Sequence, residues 1–260
     1  MTRVRGPVLA ALVAALALAV AACGGSGSAQ QAPAARTLTV SAAASLTDVY
    51  TALAPQFEQA NPGIEVRFNF GGSDTLAQQI VQGAPADVLA TASARTMQTA
   101  QQAGRIQGRP ETYAVNQLQI AVQPGNPKGI TGLASLVGPQ VTESVCAPAV
   151  PCGAATEAAE RAAGVTLDPV SEETDVRSVL QRVQTGNVDA GLVYVTDVAA
   201  SDGQVQGVDF PQATAQGAAQ DYLIGMVAGS RNADLAATWI RFVTGPPGDA
   251  ALTRAGFQLT

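Results

Sequence analysis

Residues 37–50, TLTVSAAASLTDVY, carry a strand pattern that leads directly into a helix pattern. The first part, residues 37–43, is typical of a buried strand, and residues 45–60 repeat apolar side chains at helical spacing. Ser45 and Asp48 have the spacing of a capping box at the start of that helix. A strand that runs into a helix is the repeating unit of an α/β fold.

The same alternation continues toward the C-terminus and favours an α/β architecture. Pro55 predicts that the first helix is kinked or divided. Further strands are predicted at residues 64–70, 86–92, 118–122, 141–146, 190–195 and 222–228. Further helices are predicted at residues 73–82, 93–103, 154–163, 175–185, 233–244 and 248–255. In such folds ligands bind beyond the carboxyl ends of the strands, so the loops from strand to helix are where function is expected.

The N-terminal segment has the pattern of an export signal. Arg3 and Arg5 precede an apolar run that ends in small residues before Cys23. The run is too short for a stable membrane span, which indicates a signal peptide over residues 1–22. A cysteine at this place resembles a bacterial lipobox, which implies a lipid on Cys23 and anchoring to the outer face of the cytoplasmic membrane. The alternative is an ordinary secreted protein with an incidental cysteine. Residues 23–36 have the composition of a flexible tether.

The composition excludes several classes of protein. Without residues 1–22 the chain keeps 12 basic and 20 acidic residues, so the basic footprint of a nucleic-acid-binding protein is missing. There is no histidine, which excludes Ser-His-Asp and Cys-His nucleophile systems. Beyond Cys23 only Cys146 and Cys152 remain, too few for a cysteine zinc site of about four thiolates. We therefore expect neither an enzyme nor a metal site, and we assign no catalytic residue.

Four of the loops between strands and helices place a small or hydroxyl residue at a helix start. They contain Ser45, Ser73, Cys152 and Val176. Taken singly, each loop is explained by a capped helix. Taken together, four helix N-termini that converge on one cleft would favour an anion, because exposed N–H groups and the positive end of the helix dipole point at it. Serine hydroxyls add donors there without adding a fixed charge.

Several motifs resemble the periplasmic molybdate-binding proteins of ABC transporters. They are Ala-Ala-Ala-Ser-Leu at 42–46, Gly-Ala-Pro-Ala-Asp-Val at 83–88, Asp-Val-Arg at 175–177, Gly-Leu-Val-Tyr at 191–194 and Gly-Phe at 256–257. The resemblance implies an α/β, two-domain periplasmic-binding-protein fold of type II. Its sheets are expected to be mostly parallel and flanked by helices, with the ligand cleft between the domains. Domain 1 would take residues 37–114 plus 221–260, and domain 2 would take residues 115–220.

The resemblance also implies a set of oxyanion-binding residues. Ser45 and Ser73 would bind through hydroxyl and amide, Cys152 and Val176 through backbone amides, and Tyr194 through its hydroxyl. The implied function is the capture of molybdate, and of the nearly isosteric tungstate, for an ABC importer. We expect a monomer without a cofactor that meets the permease subunits at the membrane. The alternatives are a sulfate- or phosphate-binding protein, a phosphoester-processing enzyme and a surface lipoprotein acting as an adhesin or scaffold.

The predicted shell contains only donors, which suits an anion without protons. Molybdate at neutral pH only accepts hydrogen bonds, whereas hydrogen phosphate carries a proton that needs an acceptor. Leaving such a group unpaired costs about 1–3 kcal/mol. Sulfate also only accepts, so its rejection would depend on the size of the cleft. Asp74 is the residue that bears on this choice: as a first-turn acid it stabilises its own helix, but facing the cleft it would favour phosphate.

Cys146 and Cys152 are six positions apart in a chain with an export signal, where disulfides persist. A disulfide between them would hold the loop that carries the Cys152 amide. The alternative is two free buried thiols, since sequence does not show the geometry that a disulfide needs.

Overall fold

The computed structural model describes residues 36–260. The predicted signal peptide, the Cys23 lipidation site and the tether up to residue 35 lie outside the described residues. Arg36, expected to end the tether, is instead the first residue of a strand, because its N–H donates to the Gly63 carbonyl at 2.8 Å.

Over the described range the chain forms two mixed β-sheets, one of six strands and one of five. The strands are β1 (Arg36–Ala43), β2 (Ile64–Gly71), β3 (Val88–Thr91), β4 (Ile106–Asn116), β5 (Leu118–Val122), β6 (Glu143–Cys146), β7 (Ser171–Glu173), β8 (Ala190–Tyr194), β9 (Gln206–Val208), β10 (Gln220–Val227) and β11 (Gln258–Leu259). The first sheet has the order β11-β4-β10-β3-β1-β2, and the second has the order β7-β6-β8-β5-β9.

Helices pack on both sheets. They are α1 (Thr47–Ala60), α2 (Ser73–Val81), α3 (Ala94–Gln102), α4 (Pro151–Ala163), α5 (Val176–Gln184), α6 (Val195–Ala199), α7 (Gln212–Gly217), α8 (Ala233–Val243) and α9 (Pro246–Ala255). A 3-10 turn over Ala44–Leu46 precedes α1, so the predicted helix at 45–60 begins at Thr47. Pro55 does not divide α1. The buried Leu53 and Phe57 on either side of it hold the helix against the core.

The expectation of mostly parallel sheets is wrong, because β10 and β5 run against their neighbours. β10 is antiparallel to β3 and β4, and β5 is antiparallel to β8 and β9. Each of these two strands is the first that the chain forms after it leaves the other sheet. A strand that enters from that side begins at the edge where its parallel neighbours end, and it must therefore run in the opposite direction. The pairs β1–β2, β1–β3, β6–β7 and β6–β8 are parallel, as expected.

The chain crosses between the sheets by short connections. β4 ends at Asn116 and β5 begins at Leu118, so Gln117 alone joins them. The return runs from β9 through α7 to β10, with residues 218–219 between α7 and β10. The carboxyl ends of β1 and β6, and the helices that follow them, consequently lie near the crossover points.

Each sheet has its own apolar core. In the first, Trp239 packs edge-on against Tyr50 and Phe57, with ring centroids 5.5 and 5.1 Å apart. In the second, the core includes Leu192 and Val179, both fully buried. Within residues 36–260, no helix combines the length and apolar character that a membrane crossing requires.

Candidate functional site

A small cavity lies where strand ends and helix starts of the two sheets meet. All five residues that the sequence predicted as ligands line it: Ser45, Ser73, Cys152, Val176 and Tyr194. The remaining lining is mostly alanine, glycine and proline, which brings backbone close to the cavity.

Ser45 and Ser73 face the cavity from the side of the first sheet. Ser45 lies in the 3-10 turn after β1, and its Oγ is 2.6 Å from the Oη of Tyr222. Ser73 is the first residue of α2, and its Oγ accepts the Ala92 N–H at 3.0 Å. Since that oxygen accepts from Ala92, the Ser73 proton remains to be donated elsewhere.

The capping box predicted from Ser45 and Asp48 is wrong. In the described chain α1 has Leu46 at its N-cap position and no side-chain cap. The 3-10 turn moves the start of α1 two residues past Ser45, so the serine hydroxyl is released from capping and bonds to Tyr222.

Cys152 and Val176 present backbone amides from the side of the second sheet. Cys152 is the second residue of α4, after Pro151, and Val176 is the first residue of α5. Amides in the first turn of a helix have no acceptor within the helix. Asp175 caps α5 by accepting the Ser178 N–H at 2.9 Å, which leaves the Val176 amide to a ligand.

The start of α4 is fixed to the end of β6 in two ways. Cys146 and Cys152 form a disulfide in the structure, with their Cα atoms 5.6 Å apart. Gly153 lies so close to the preceding loop that a Cβ there would be 2.0 Å from the Ala147 carbonyl oxygen. The Cys152 amide is therefore held by a covalent bond and by close backbone packing.

Tyr194, the last residue of β8, contributes a buried hydroxyl. Only 1% of the residue is exposed, and its hydroxyl has no hydrogen-bond partner within residues 36–260. Burial raises the pKa of Tyr194 well above its usual value, with a further contribution from Tyr222, so the phenol stays protonated and can donate. A buried hydroxyl without a partner costs about 1–3 kcal/mol, which a hydrogen-bond acceptor in the cavity would recover.

Tyr222 and Asn116 support Ser45 from behind, and the sequence did not single them out. The Asn116 Oδ1 accepts the Gln117 N–H at 3.0 Å, which fixes the orientation of the amide. Its Nδ2 then donates to Thr196 Oγ1 at 2.8 Å and to Tyr222 Oη at 3.4 Å. The Tyr222 hydroxyl can then donate to Ser45, and in that arrangement the Ser45 proton can point into the cavity.

Asp175 is the carboxylate that the structure places at the cavity, and Asp74 is not among the lining residues. Asp175 was not predicted to face the ligand. Its place directly before the first residue of α5 was the available signal, since an N-cap aspartate lies beside the first amides of its helix. Both of its oxygens accept from Ser178, Oδ1 from the amide and Oδ2 from the hydroxyl at 3.2 Å.

Apart from the Asp175 carboxylate, the groups that line the cavity are neutral. The starts of α2, α4 and α5 and the turn before α1 all meet there, so the positive ends of helix dipoles point at the cavity without a lining cation. Within residues 36–260, no group of three or more histidine, cysteine or acidic side chains is placed to hold a metal ion. The arrangement therefore fits an anion that accepts hydrogen bonds.

Comparison with known proteins places the chain among binding proteins. The profile described as "Bacterial extracellular solute-binding protein" matches residues 38–258. The molybdate-binding protein ModA of Mycobacterium tuberculosis H37Rv is 41% identical over 251 residues, 95% of each chain. ModA of Escherichia coli K12 is 30% identical over 232 residues, which cover 85% of this chain and 89% of ModA.

A solved structure shows the same fold. The Azotobacter vinelandii periplasmic molybdate-binding protein superposes with a TM-score of 0.76 at 21% identity, covering 86% of this chain and 99% of that one. The family resemblance seen in the motifs is thus confirmed, as is the α/β periplasmic-binding-protein fold. The chain belongs to the family of bacterial extracellular solute-binding proteins.

Proposed function

We propose that this protein captures molybdate outside the cytoplasm and delivers it to an ABC importer. The observation that carries the proposal is the buried Tyr194 hydroxyl, which lacks a partner within residues 36–260 and lines the same cavity as four helix or turn starts. Relatives named for molybdate binding, one of them matched over 95% of its length, support the choice of ligand.

The proposed donors come from both sheets. Ser45 and Ser73 donate through hydroxyl and amide, Cys152 and Val176 through their amides, and Tyr194 through its hydroxyl. Every one of these groups is neutral and can donate a hydrogen bond. A dianion that only accepts can satisfy all of them, and the helix dipoles offset its charge in place of a lysine or arginine. Tungstate, which is nearly isosteric with molybdate, binds the same shell.

Two domains close over the anion. Domain 1 takes residues 37–114 plus 221–260, and domain 2 takes residues 115–220. The short crossovers at Gln117 and at residues 218–219 support this division, because a rotation about two short connections moves the halves as rigid bodies. Closure creates the surface that the permease subunits recognise, and the protein binds without catalysis as a monomer.

Export and anchoring follow from the N-terminal pattern. The chain is cut before Cys23, carries a lipid on that sulfur and stays at the outer face of the cytoplasmic membrane. Mass spectrometry of the membrane-extracted protein tests this, because the mature chain would begin at Cys23 and carry the mass of a diacylglyceryl group. A mature chain whose Cys23 carries no lipid would contradict the anchor.

Asp175 favours a second candidate ligand, hydrogen phosphate. Its carboxylate lines the cavity and is the kind of acceptor that the phosphate proton requires. In the structure its oxygens already accept from the Ser178 amide and hydroxyl, which supports a capping role instead.

Titration calorimetry with molybdate, tungstate, sulfate and phosphate separates these candidates. Residues 36–260 are expected to bind molybdate and tungstate tightly, and sulfate and phosphate far more weakly. Tight phosphate binding without a molybdate signal would assign the protein to phosphate. Turnover of a phosphoester without oxyanion binding would instead indicate an enzyme.

A further inference from the structure

Three charged residues lie beside the cavity without lining it: Asp48, Arg177 and Asp197. The Arg177 Nη2 contacts the Asp48 carboxylate, and its Nε lies 3.0 Å from Asp197 Oδ1. Asp48 belongs to α1, which packs on the first sheet, whereas Arg177 and Asp197 belong to α5 and α6, which pack on the second. The guanidinium therefore joins the two halves of the molecule.

Each member of this cluster is attached to a residue of the proposed shell. Arg177 follows Val176 in the first turn of α5. Asp197 Oδ2 accepts the Tyr194 N–H at 3.0 Å and so fixes the end of β8. Asp48 lies three residues after Ser45, in the first turn of α1. Three of the five proposed binding residues are thus connected through one guanidinium.

Burial distinguishes the two ion pairs of Arg177. Asp197 is fully buried, so its charge depends on Arg177 for compensation. Both residues lie in the same half of the molecule, and their contact does not depend on the other half. The Asp48 side chain is 56% exposed and can separate from Arg177 at little cost when the halves move apart. The Asp48–Arg177 contact is therefore the one that distinguishes joined halves from separated ones.

We propose that Arg177 is a positioning residue whose ion pair with Asp48 holds the two halves together and slows release of the bound anion. It does not touch the anion, since it lies outside the cavity lining. Arg177 and Asp48 instead line a neighbouring pocket, together with Thr196 and Arg254. The inference rests on the proposed function, because anion release is its measurable effect.

The competing explanation is a simple electrostatic effect of the Arg177 charge on the anion. The two explanations predict opposite changes in anion affinity when the charge of Asp48 is removed. If Arg177 acted only through its charge, removing the nearby negative charge of Asp48 would strengthen the attraction for a dianion. If the ion pair holds the halves together, the same substitution weakens binding although it makes the surroundings more positive. Asp48→Asn therefore separates the two explanations.

The experiment measures molybdate release by stopped-flow displacement, together with affinity by calorimetry, on residues 36–260. Asp48→Asn is expected to release the anion about two- to fivefold faster, the range of a partly exposed ion pair. Asp74→Asn is the matched control: it also removes an acid from a first helical turn near the cavity, and within residues 36–260 Asp74 forms no ion pair. It is expected to leave release unchanged or slower.

A double-mutant cycle provides the second arm. In an Arg177→Gln background, Asp48→Asn is expected to have no further effect on release, because its partner is already absent. Unchanged or slower release in Asp48→Asn, or fully additive effects in the cycle, would overturn the inference. Absence of molybdate binding by the unsubstituted protein would instead remove the proposed function.

Discussion

The Oγ of Ser45 lies 2.6 Å from the Oη of Tyr222, although 177 positions separate the two residues in the chain. Asn116 donates to the same tyrosine oxygen at 3.4 Å, so the tyrosine hydroxyl is available to donate to Ser45. With Tyr222 as the donor, the Ser45 proton is available to a ligand in the cavity, although Tyr222 does not line that cavity.

Tyr222→Phe is expected to weaken molybdate binding about fivefold, because one hydrogen bond of about 1 kcal/mol that orients Ser45 is lost. Tyr113→Phe is the control, since its hydroxyl forms a comparable buried hydrogen bond of 2.9 Å with Tyr50 in the apolar core. Calorimetry on both variants measures the difference. Equal affinities in the two variants would show that Tyr222 does not orient Ser45.

Ser45→Ala and Ser73→Ala should each cost about 1.5–3 kcal/mol of binding free energy, which is the value of a hydrogen bond to a charged partner. Ser93→Ala serves as the control because the Ser93 side chain caps α3 by accepting the Thr96 N–H and does not line the cavity. The control should lower the melting temperature without changing affinity. Full affinity in both Ser45→Ala and Ser73→Ala would mean that the anion binds elsewhere.

Gly72→Ala is expected to prevent the two halves from meeting, because a Cβ at this residue would be 2.3 Å from the Thr174 carbonyl oxygen. Molybdate affinity should fall at least about tenfold, which corresponds to about 1.4 kcal/mol of clash or incomplete closure. Gly71→Ala is the neighbouring control, where the nearest atom is Leu76 Cδ2 at 3.8 Å. Small-angle scattering with saturating molybdate should show a less compact particle for Gly72→Ala alone. Equal compaction in both variants would contradict this role of Gly72.

Removal of the Cys146–Cys152 disulfide is expected to lower the free energy of unfolding by about 2–3 kcal/mol, the entropy of closing so short a loop. Because the bridge holds the start of α4, affinity for the anion should fall as well. Reduction followed by alkylation, and the Cys146→Ser/Cys152→Ser variant, measure both quantities. A reduced protein with unchanged stability and affinity would show that the bridge does not support the Cys152 amide.

Asp197 should make stability depend on pH. Burial raises the pKa of its carboxyl to about 6, and Arg177 only partly offsets this. The folded state then holds the proton more tightly than the unfolded state, whose carboxyl has a pKa near 3.9. The protonated Asp197 carboxyl therefore stabilises the fold fully below a pH of about 3.9, and this stabilisation is lost as the pH rises through about 6. Chemical denaturation should show that the free energy of unfolding falls less between pH 4 and pH 7 in Asp197→Asn than in the unsubstituted protein. An equal fall in the two proteins would contradict the raised pKa.

The local features of the fold could be predicted from sequence, and the contacts between distant segments could not. Residues 190–195 form a short, continuous apolar run, which is enough to predict β8. By contrast, β4 contains Gly108 and Pro110, which argue against a strand, and it forms only because β10 and β11 pair with it. The reversed direction of β10 and β5 follows from the crossovers, which periodicity does not reveal.

The candidate site divides in the same way. Helix-start residues such as Ser73 and Val176 could be found, since the strand-to-helix pattern marks them. Tyr222, Arg177 and Asp197 could not be assigned their roles, because each acts through a residue that only the tertiary structure brings near. Asp175 lay directly beside a predicted ligand residue, but its approach to the cavity depends on the backbone path before α5.

Molybdate binding in this cavity can be tested by a crystal structure of residues 36–260 with molybdate, using anomalous scattering at the molybdenum edge. We predict one strong anomalous peak in the cavity, with oxygens about 2.7–3.2 Å from Ser45 Oγ, Ser73 Oγ and Tyr194 Oη. We also predict contacts with the amides of Cys152 and Val176. A peak outside this cavity, or an anion that leaves the Tyr194 hydroxyl without a partner, would contradict this prediction.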